Sequence, residues 1–179
     1  MTGKTCIARL MLMCGLLCWA GAVQADDDAN AQRRGDEYYL AAGKTYNRHA
    51  AEHAKLLSKY AATGAPVPAS VVAEHAAAIK AGLDSAEKSF DKVSPQAKSN
   101  ADVAAQLANL KANLAKANGK VAELQAAAAA NQASDSAKIA ALSSQINQLL
   151  KMNHEAHQTV YQTINPNQGP WYTDGSFDE

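Results

Sequence analysis

Apolar side chains recur along this chain every three or four residues, which is the spacing of one face of an α-helix. Turn and capping residues divide the pattern into four predicted helices, which cover residues 36–62, 70–93, 100–130 and 136–164. Gly64 followed by Pro66 ends the first helix, and Pro166 ends the last one. The predicted helix caps are Ser70, Ser94, Asn100, and either Ser134 or Asp135.

The third predicted helix has the most regular pattern. Its apolar residues alternate in steps of four and three and are Val103, Leu107, Leu110, Leu114, Ala117, Val121 and Leu124. This heptad spacing predicts a coiled-coil-like seam, and the fourth helix begins in the same way with Ile139, Leu142, Ile146 and Leu149. We therefore expect an all-α fold, closed as an antiparallel four-helix bundle. The alternative is a long hairpin of the last two helices, with the first two packed along one half of it.

The first 25 residues have the pattern of an export signal. Lys4 and Arg9 precede an apolar run, which ends at Ala25 in a small-x-small cleavage sequence. At about 14 residues the run is short for crossing a bilayer. We expect a cleaved signal peptide at 1–25 and a soluble mature protein in the periplasm or outside the cell. An uncleaved membrane anchor is the alternative.

Two further segments flank the predicted helical domain at 36–164. Residues 26–35 are polar, and we expect them to form a flexible N-terminal segment. Residues 165–179 form a C-terminal tail that contains Trp171, Tyr172 and Phe177 among turn residues. Such aromatic side chains either bind a protein partner or fold back over the helices.

Composition narrows the choice of function. Alanine makes up 40 of the 179 residues, which favours helices with narrow interfaces. Lysine and arginine number 17 and aspartate and glutamate also number 17, so the balance argues against a nucleic-acid binder. Cys6, Cys14 and Cys18 all lie in the predicted signal peptide. The mature protein is then expected to have no disulfide, no thiolate ligand and no covalently attached haem.

The five histidines fall on the predicted apolar stripes. In the first helix the stripe is Tyr39, Ala42, Tyr46, His49, His53, Leu56 and Tyr60, in steps of three and four. In the second helix it is Val72, His75, Ile79, Gly82 and Ala86, and in the fourth it is Leu150, His154, His157, Tyr161 and Ile164. We therefore predict that all five imidazoles face the interior, where a polar group requires a partner.

A bound metal ion is one such partner, because histidine is the commonest protein ligand for transition metals. The predicted ligands are His49, His53, His75, His154 and His157, arranged as one extended cluster or as two neighbouring sites. Imidazoles without thiolates suit Zn, Cu, Ni or Co. The predicted supporting residues beside these ligands are Glu52, Glu74, Glu155 and Tyr46. Helix lengths place His53 near His75, and His49 near His154 or His157.

The leading hypothesis is therefore an exported helical protein that stores, buffers or senses a divalent transition metal. A second hypothesis is an envelope interaction protein or chaperone without metal, in which the histidines form a pH-sensitive layer. A third is a non-covalent haem carrier. No nucleophile–base motif, phosphate loop or metallohydrolase spacing occurs, so enzymatic activity is not expected. The apolar seams can pack against each other within one chain or between chains, so a homo-oligomer is also compatible with the sequence.

Overall fold

The computed structural model describes the backbone of residues 4–130 and 135–166, and the side chains from residue 28 onward within these ranges. Within these ranges the helices are α1 (Lys4–Ala61), α2 (Ala69–Asp91), α3 (Pro95–Lys98), α4 (Ala101–Ala129) and α5 (Ser136–Ile164). The described residues contain no strand, so the all-helical class is confirmed. The predicted tail residues Trp171, Tyr172 and Phe177 lie outside the described part of the chain.

The chain divides into two compact units between Gly35 and Asp36. In the first unit the described backbone is helical from Lys4, and it includes residues 26–35, for which the sequence predicts a flexible segment. In the part of the chain that the structure describes, no helix is long and apolar enough to span a membrane. Export and signal cleavage stay predictions. All side-chain packing described below belongs to the second unit.

Most helix ends follow their capping residues. Gly64, three residues after the end of α1, adopts the left-handed conformation (φ 76°) that the predicted stop signal requires. Ser94, Asn100 and Asp135 each accept a hydrogen bond from a backbone N–H in the first turn of α3, α4 and α5, respectively. The predicted Ser70 cap is wrong. Helix α2 begins one residue earlier, and its N-cap position is Pro68, whose side chain makes no capping hydrogen bond.

Helix α1 runs antiparallel to both α2 and α5. Towards α2, Gly43 lies against Phe90 and Ala50 lies against Gly82. Towards α5, the side-chain amide of Asn47 donates to the carbonyl oxygen of Leu150, and the hydroxyl of Ser58 donates to that of Ala140. Helix α4 packs on α2, on α5 and on the short α3. Each of the four long helices therefore has two long neighbours among the described residues.

The heptad seam predicted for the third helix is confirmed in α4. All seven of its predicted residues, from Val103 to Leu124, are buried, and Ala127 continues the row. In α5 the residues Ile139, Leu142, Ile146 and Leu150 are buried as expected, while Leu149 is only partly buried. Leucine, isoleucine and valine supply most of the inward face of these two helices, whereas Met152 of α5 is 60% exposed.

The stripe predicted for the first helix is wrong by one residue. The buried row of α1 is Asp36, Leu40, Gly43, Asn47, Ala50, Ala54, Leu57 and Ala61, again in steps of four and three. Tyr46, Leu56 and Tyr60 from the predicted stripe are 43%, 56% and 47% exposed. Glycine or alanine at four of these inward positions lets α1 approach α2 closely, as at Gly43 and Ala50, while Leu40 and Leu57 of the same row are fully buried. We call the set Tyr46, His49, His53, Leu56 and Tyr60 the outer stripe.

Close approach of α1 and α2 is concentrated at two glycines. A Cβ atom placed on Gly43 would lie 2.1 Å from Cε1 of Phe90, and one on Gly82 would lie 2.9 Å from Cβ of Ala50. Real Cβ atoms do not come this close to other heavy atoms. The two glycines therefore set the spacing of the helix pair that carries three of the five histidines.

Candidate metal centre

His49, His53 and His75 form a row of imidazoles along the contact of α1 and α2. The rings of His49 and His53, one turn apart on α1, meet edge to face with centroids 4.7 Å apart. The ring of His75 on α2 packs against His53 with centroids 5.2 Å apart. We call these three residues the histidine row. The predicted proximity of His53 and His75 is confirmed.

The Nδ1 atoms of His53 and His75 lie 3.1 Å apart. In the absence of an ion, one ring donates its Nδ1 proton to the other, and the tautomers decide which one is the donor. If the donor ring carries its proton on Nε2 instead, both Nδ1 atoms have a lone pair available for an ion. Two neighbouring nitrogens on one Zn²⁺ ion lie roughly 3.3 Å apart in tetrahedral geometry, with bonds of about 2.05 Å. The observed separation is close to that value.

Electrostatics keep the row receptive to a cation. Burial lowers the pKa of His53 below its ordinary value, and the neighbouring imidazoles of His49 and His75 lower it further. Glu52 and Glu74 act in the opposite direction, which places their negative charge near the His53 ring. The row thus combines an imidazole that favours its neutral form with nearby carboxylates.

The predicted supporting residues of the row are exposed at its rim. Glu52 and Glu74 are exposed, and the Glu52 carboxylate lies 3.6 Å from Nε of Arg48. Tyr46 is 43% exposed. Both carboxylates are therefore accessible to an ion that approaches from solvent.

His154 and His157 form a second, separate pair on α5. Together with Lys44 and Gln158 they line a cavity of about 10 Å³, which is near the lower limit for one water molecule. Lys44 and His154 add to the effect of burial, which lowers the pKa of His157 to about 3. The described contacts of His49 are with the histidine row, so the predicted meeting of His49 with His154 or His157 is not observed. Glu155, beside them in sequence, is exposed.

His157 is the one deeply buried imidazole, with 4% of its surface exposed. Its ring packs on Phe90 with centroids 4.8 Å apart, and neither ring nitrogen makes a hydrogen bond to the described residues. The adjacent Lys44 cation opposes a metal ion at this position. The second pair is therefore a weaker candidate for metal than the histidine row.

The prediction that all five histidines face the interior needs correction. His49 is exposed, while His53, His75 and His154 are partly buried. For His49 and His53 the reason is the one-residue rotation of α1, which places the row that contains Asn47, Ala50 and Ala54 inward instead. In the described residues no group of three or more histidine, cysteine, aspartate or glutamate side chains is arranged so that it could hold a metal ion. The observed convergence is of two ring nitrogens, with a third ring in contact.

Sequence reasoning missed a buried chain of amides. Asn113 on α4 donates to Oδ1 of Asn153 on α5 over 2.9 Å, and Asn153 donates to Oδ1 of Asn47 on α1 over 3.0 Å. Asn47 in turn donates to the carbonyl oxygen of Leu150. Asn47 and Asn153 each continue a heptad row of apolar residues, and that spacing was the available signal.

Comparison of the chain with protein-family models, with curated proteins and with solved structures finds no match. The candidate function therefore depends on the geometry of the two histidine groups.

Proposed function

We propose that this protein is an exported antiparallel four-helix bundle that binds a divalent transition metal at the histidine row, for storage, buffering or sensing. The observation that carries the proposal is the 3.1 Å separation of the His53 and His75 Nδ1 atoms. Those two nitrogens are the primary ligands, and His49 is the adjacent third imidazole. The bundle is supported by the pairwise contacts of α1, α2, α4 and α5, each with two long neighbours.

The nature of the ligands limits the choice of ion. Neutral imidazoles favour Zn, Cu(II), Ni and Co over Mg or Ca, which prefer oxygen ligands. Glu52 and Glu74 supply oxygen atoms near His53 and add negative charge that offsets part of the charge of the ion. A site at the rim of two helices exchanges its ion with solvent, which suits buffering and sensing better than catalysis.

A thermal titration tests the proposal. The untagged protein is stripped with a chelator, and its melting temperature is followed as Zn²⁺, Cu²⁺, Ni²⁺ or Co²⁺ is added. An ion that binds only the native state raises the melting temperature. At a free concentration a hundred times Kd, it adds about 2.7 kcal/mol to the free energy of unfolding. His53→Ala and His75→Ala should each abolish the shift. His154→Ala, in the second pair, is the matched control and should keep it.

Two outcomes would contradict the proposal. No shift with any of the four ions would remove metal binding as the function. A shift that survives His53→Ala but is lost in His154→Ala would move the site to the second pair. An absorption spectrum taken on the same sample tests the haem alternative, because a Soret band would identify a haem carrier.

One observation supports the alternative of a helical interaction protein without metal. His157 is buried against Phe90 beside Lys44, so its protonation would place two cations together in the interior. That arrangement favours a helical interaction protein whose packing responds to acid. It is compatible with a metal at the histidine row, since the two groups are separate.

A further inference from the structure

In the described residues the outer stripe contacts another helix at its centre, where His53 meets His75 of α2, and its other four members are exposed. Tyr46, Leu56 and Tyr60 keep about half of their side-chain surface exposed, and His49 between them is exposed as well. The spacing of the stripe is the same heptad alternation that the buried seam of α4 follows. Helix α1 therefore has two seams, one facing the other helices of its unit and one facing solvent.

The outer stripe is nearly symmetric about His53. Tyr46 and Tyr60 lie seven residues before and after it, which is two helical turns on each side. If two copies of α1 pack antiparallel with His53 at the crossing, Tyr46 of each copy lies level with Tyr60 of the other. Glu52 of each copy also lies within one residue of the level of Lys55 of the other. This self-complementary pattern is what a two-fold symmetric interface requires.

The apolar contact alone is too small for a stable dimer. The exposed parts of Tyr46, Leu56 and Tyr60 amount to roughly 300 Å² in each copy, taking about 200 Å² for a whole aromatic side chain. Two copies would bury roughly 600 Å² through them, whereas specific interfaces exceed about 1,000 Å². Association through the stripe therefore needs a further source of affinity.

The histidine row supplies that source at the centre of the stripe. In one chain the Nδ1 atoms of His53 and His75 converge, which gives two ligands at 3.1 Å. Zinc in structural sites takes four ligands in a tetrahedron. A second copy related by a two-fold axis near His53 brings another such pair to the same place. The two half-sites together make four imidazoles around one ion.

We infer that a second copy of this chain packs antiparallel on the outer stripe and that one metal ion bridges the His53 and His75 pairs of the two copies. This inference rests on the proposed function, because it assigns the same ligands. It adds that the complete site belongs to a dimer, so that metal availability controls assembly. The pattern of ligands favours Zn²⁺, since tetrahedral four-imidazole coordination suits it.

Sedimentation velocity of the untagged, chelator-stripped protein tests the inference, with Zn²⁺ or Cu²⁺ as the only addition. We expect a monomer without the ion and a dimer once one ion is present for every two chains. Tyr46→Gln/Tyr60→Gln changes only the ends of the stripe and should weaken dimerisation by at least about tenfold. Tyr38→Gln is the matched control, since Tyr38 is an exposed tyrosine of the same helix (68%) that lies off the stripe.

The possible failures are distinguishable. A monomer that binds one ion per chain would overturn the bridging dimer and leave the proposed function intact. A protein that binds neither ion would overturn the inference, and it would overturn the proposed function as well if Ni²⁺ and Co²⁺ also fail to bind. A dimer that persists in chelator would show that the ion does not form the bridge. A metal-loaded monomer that dimerises only after removal of residues 167–179 would assign the stripe to the tail, and the inference would again be overturned.

Discussion

The side-chain amide of Asn153 donates a hydrogen bond to Oδ1 of Asn47 over 3.0 Å, across the contact of α5 with α1. Both residues are buried, with 0% and 2% of their surface exposed. The side-chain N–H of Asn47 donates to the carbonyl oxygen of Leu150, and that of Asn113 donates to Oδ1 of Asn153. A buried amide with satisfied partners fixes which residues face each other, because any other register would leave it unpaired.

The loss of stability in the double variant should therefore be smaller than the sum of the losses in the two single variants. We expect Asn47→Ala to lower the free energy of unfolding by about 2–3 kcal/mol, because the buried side-chain N–H of Asn153 then loses its acceptor, Oδ1 of Asn47. Urea denaturation of Asn47→Ala, Asn153→Ala and the double variant gives the coupling energy. Asn109→Ala, at an exposed position of α4, is the control and should change stability by less than about 0.5 kcal/mol. Simple additivity of the two changes would contradict a direct pair.

A methyl group at Gly43 should destabilise the protein although alanine is the better helix former. The added Cβ would lie 2.1 Å from Cε1 of Phe90, so α1 and α2 must separate or Phe90 must move. We expect Gly43→Ala to cost about 1–3 kcal/mol in thermal or chemical unfolding. Gly119→Ala is matched to it, because no heavy atom lies within 4 Å of the new methyl there. That change should raise stability by up to about 1 kcal/mol, and equal effects at the two glycines would refute close packing at Phe90.

Acid should destabilise the fold through His157. Its pKa in the folded protein is about 3, below the ordinary value of 6.5, so the unfolded chain binds its proton first as the pH falls. The stabilisation is therefore fully present above pH 6.5 and is lost progressively between about 6.5 and 3. At pH 4.5 the loss is on the order of 2 kcal/mol relative to pH 7. Urea titrations at both pH values measure it.

Substitution of His157 separates this effect from general acid denaturation. His157→Leu removes the titrating group and should flatten the difference between pH 7 and pH 4.5. His49→Gln removes an exposed imidazole instead and should leave the difference in place. If His157→Leu kept the full acid sensitivity, the buried imidazole would not be its source.

Asp36 should be a strong point of attachment between the start of the second unit and the turn after α2. Its two carboxylate oxygens accept hydrogen bonds from the backbone N–H and from the hydroxyl of Ser94, both over 2.7 Å, and the residue is 5% exposed. We expect Asp36→Ala to lower stability by about 2–3 kcal/mol. Asp84→Ala removes a carboxylate from an exposed ion pair with Lys80 and should cost less than about 1 kcal/mol. Similar losses for the two variants in calorimetry would argue against a buried role for Asp36.

Sequence reasoning predicted the helices and most of their ends because the signals there are local. Ser94, Asn100 and Asp135 cap their helices through contacts within one turn, and such contacts do not depend on the rest of the fold. The seam of α4 was equally predictable, since its large apolar residues form a single row. The prediction of Ser70 as a cap was wrong because α2 already begins at Ala69, with Pro68 at the N-cap position.

The rotation of α1 was not predictable from side-chain size. One row holds Tyr46, Leu56 and Tyr60, and the next mixes Leu40 and Leu57 with alanine, glycine and asparagine. The tertiary contacts chose the second row. Phe90 and Ala50 explain that choice, because each fills space that a larger residue on the opposing helix would need. The His53–His75 contact was nevertheless predicted, since helix rise fixes height more firmly than rotation. His49 does not meet the second pair because the rotation of α1 places His49 in the histidine row, and Lys44 of α1 lies beside His154 and His157 instead.

The alanines of the inward row also determine how quickly the outer residues can respond to their surroundings. With Ala50 and Ala54 facing inward, the imidazoles one residue earlier lie at the rim of the helix pair, and His49 is open to solvent. An ion in solution reaches that rim without any separation of α1 from α2. If the histidine row binds an ion as proposed, the rates of capture and release are governed by ligand exchange at the imidazoles and not by opening of the fold. A fully enclosed site in the same helices would have been limited by local unfolding.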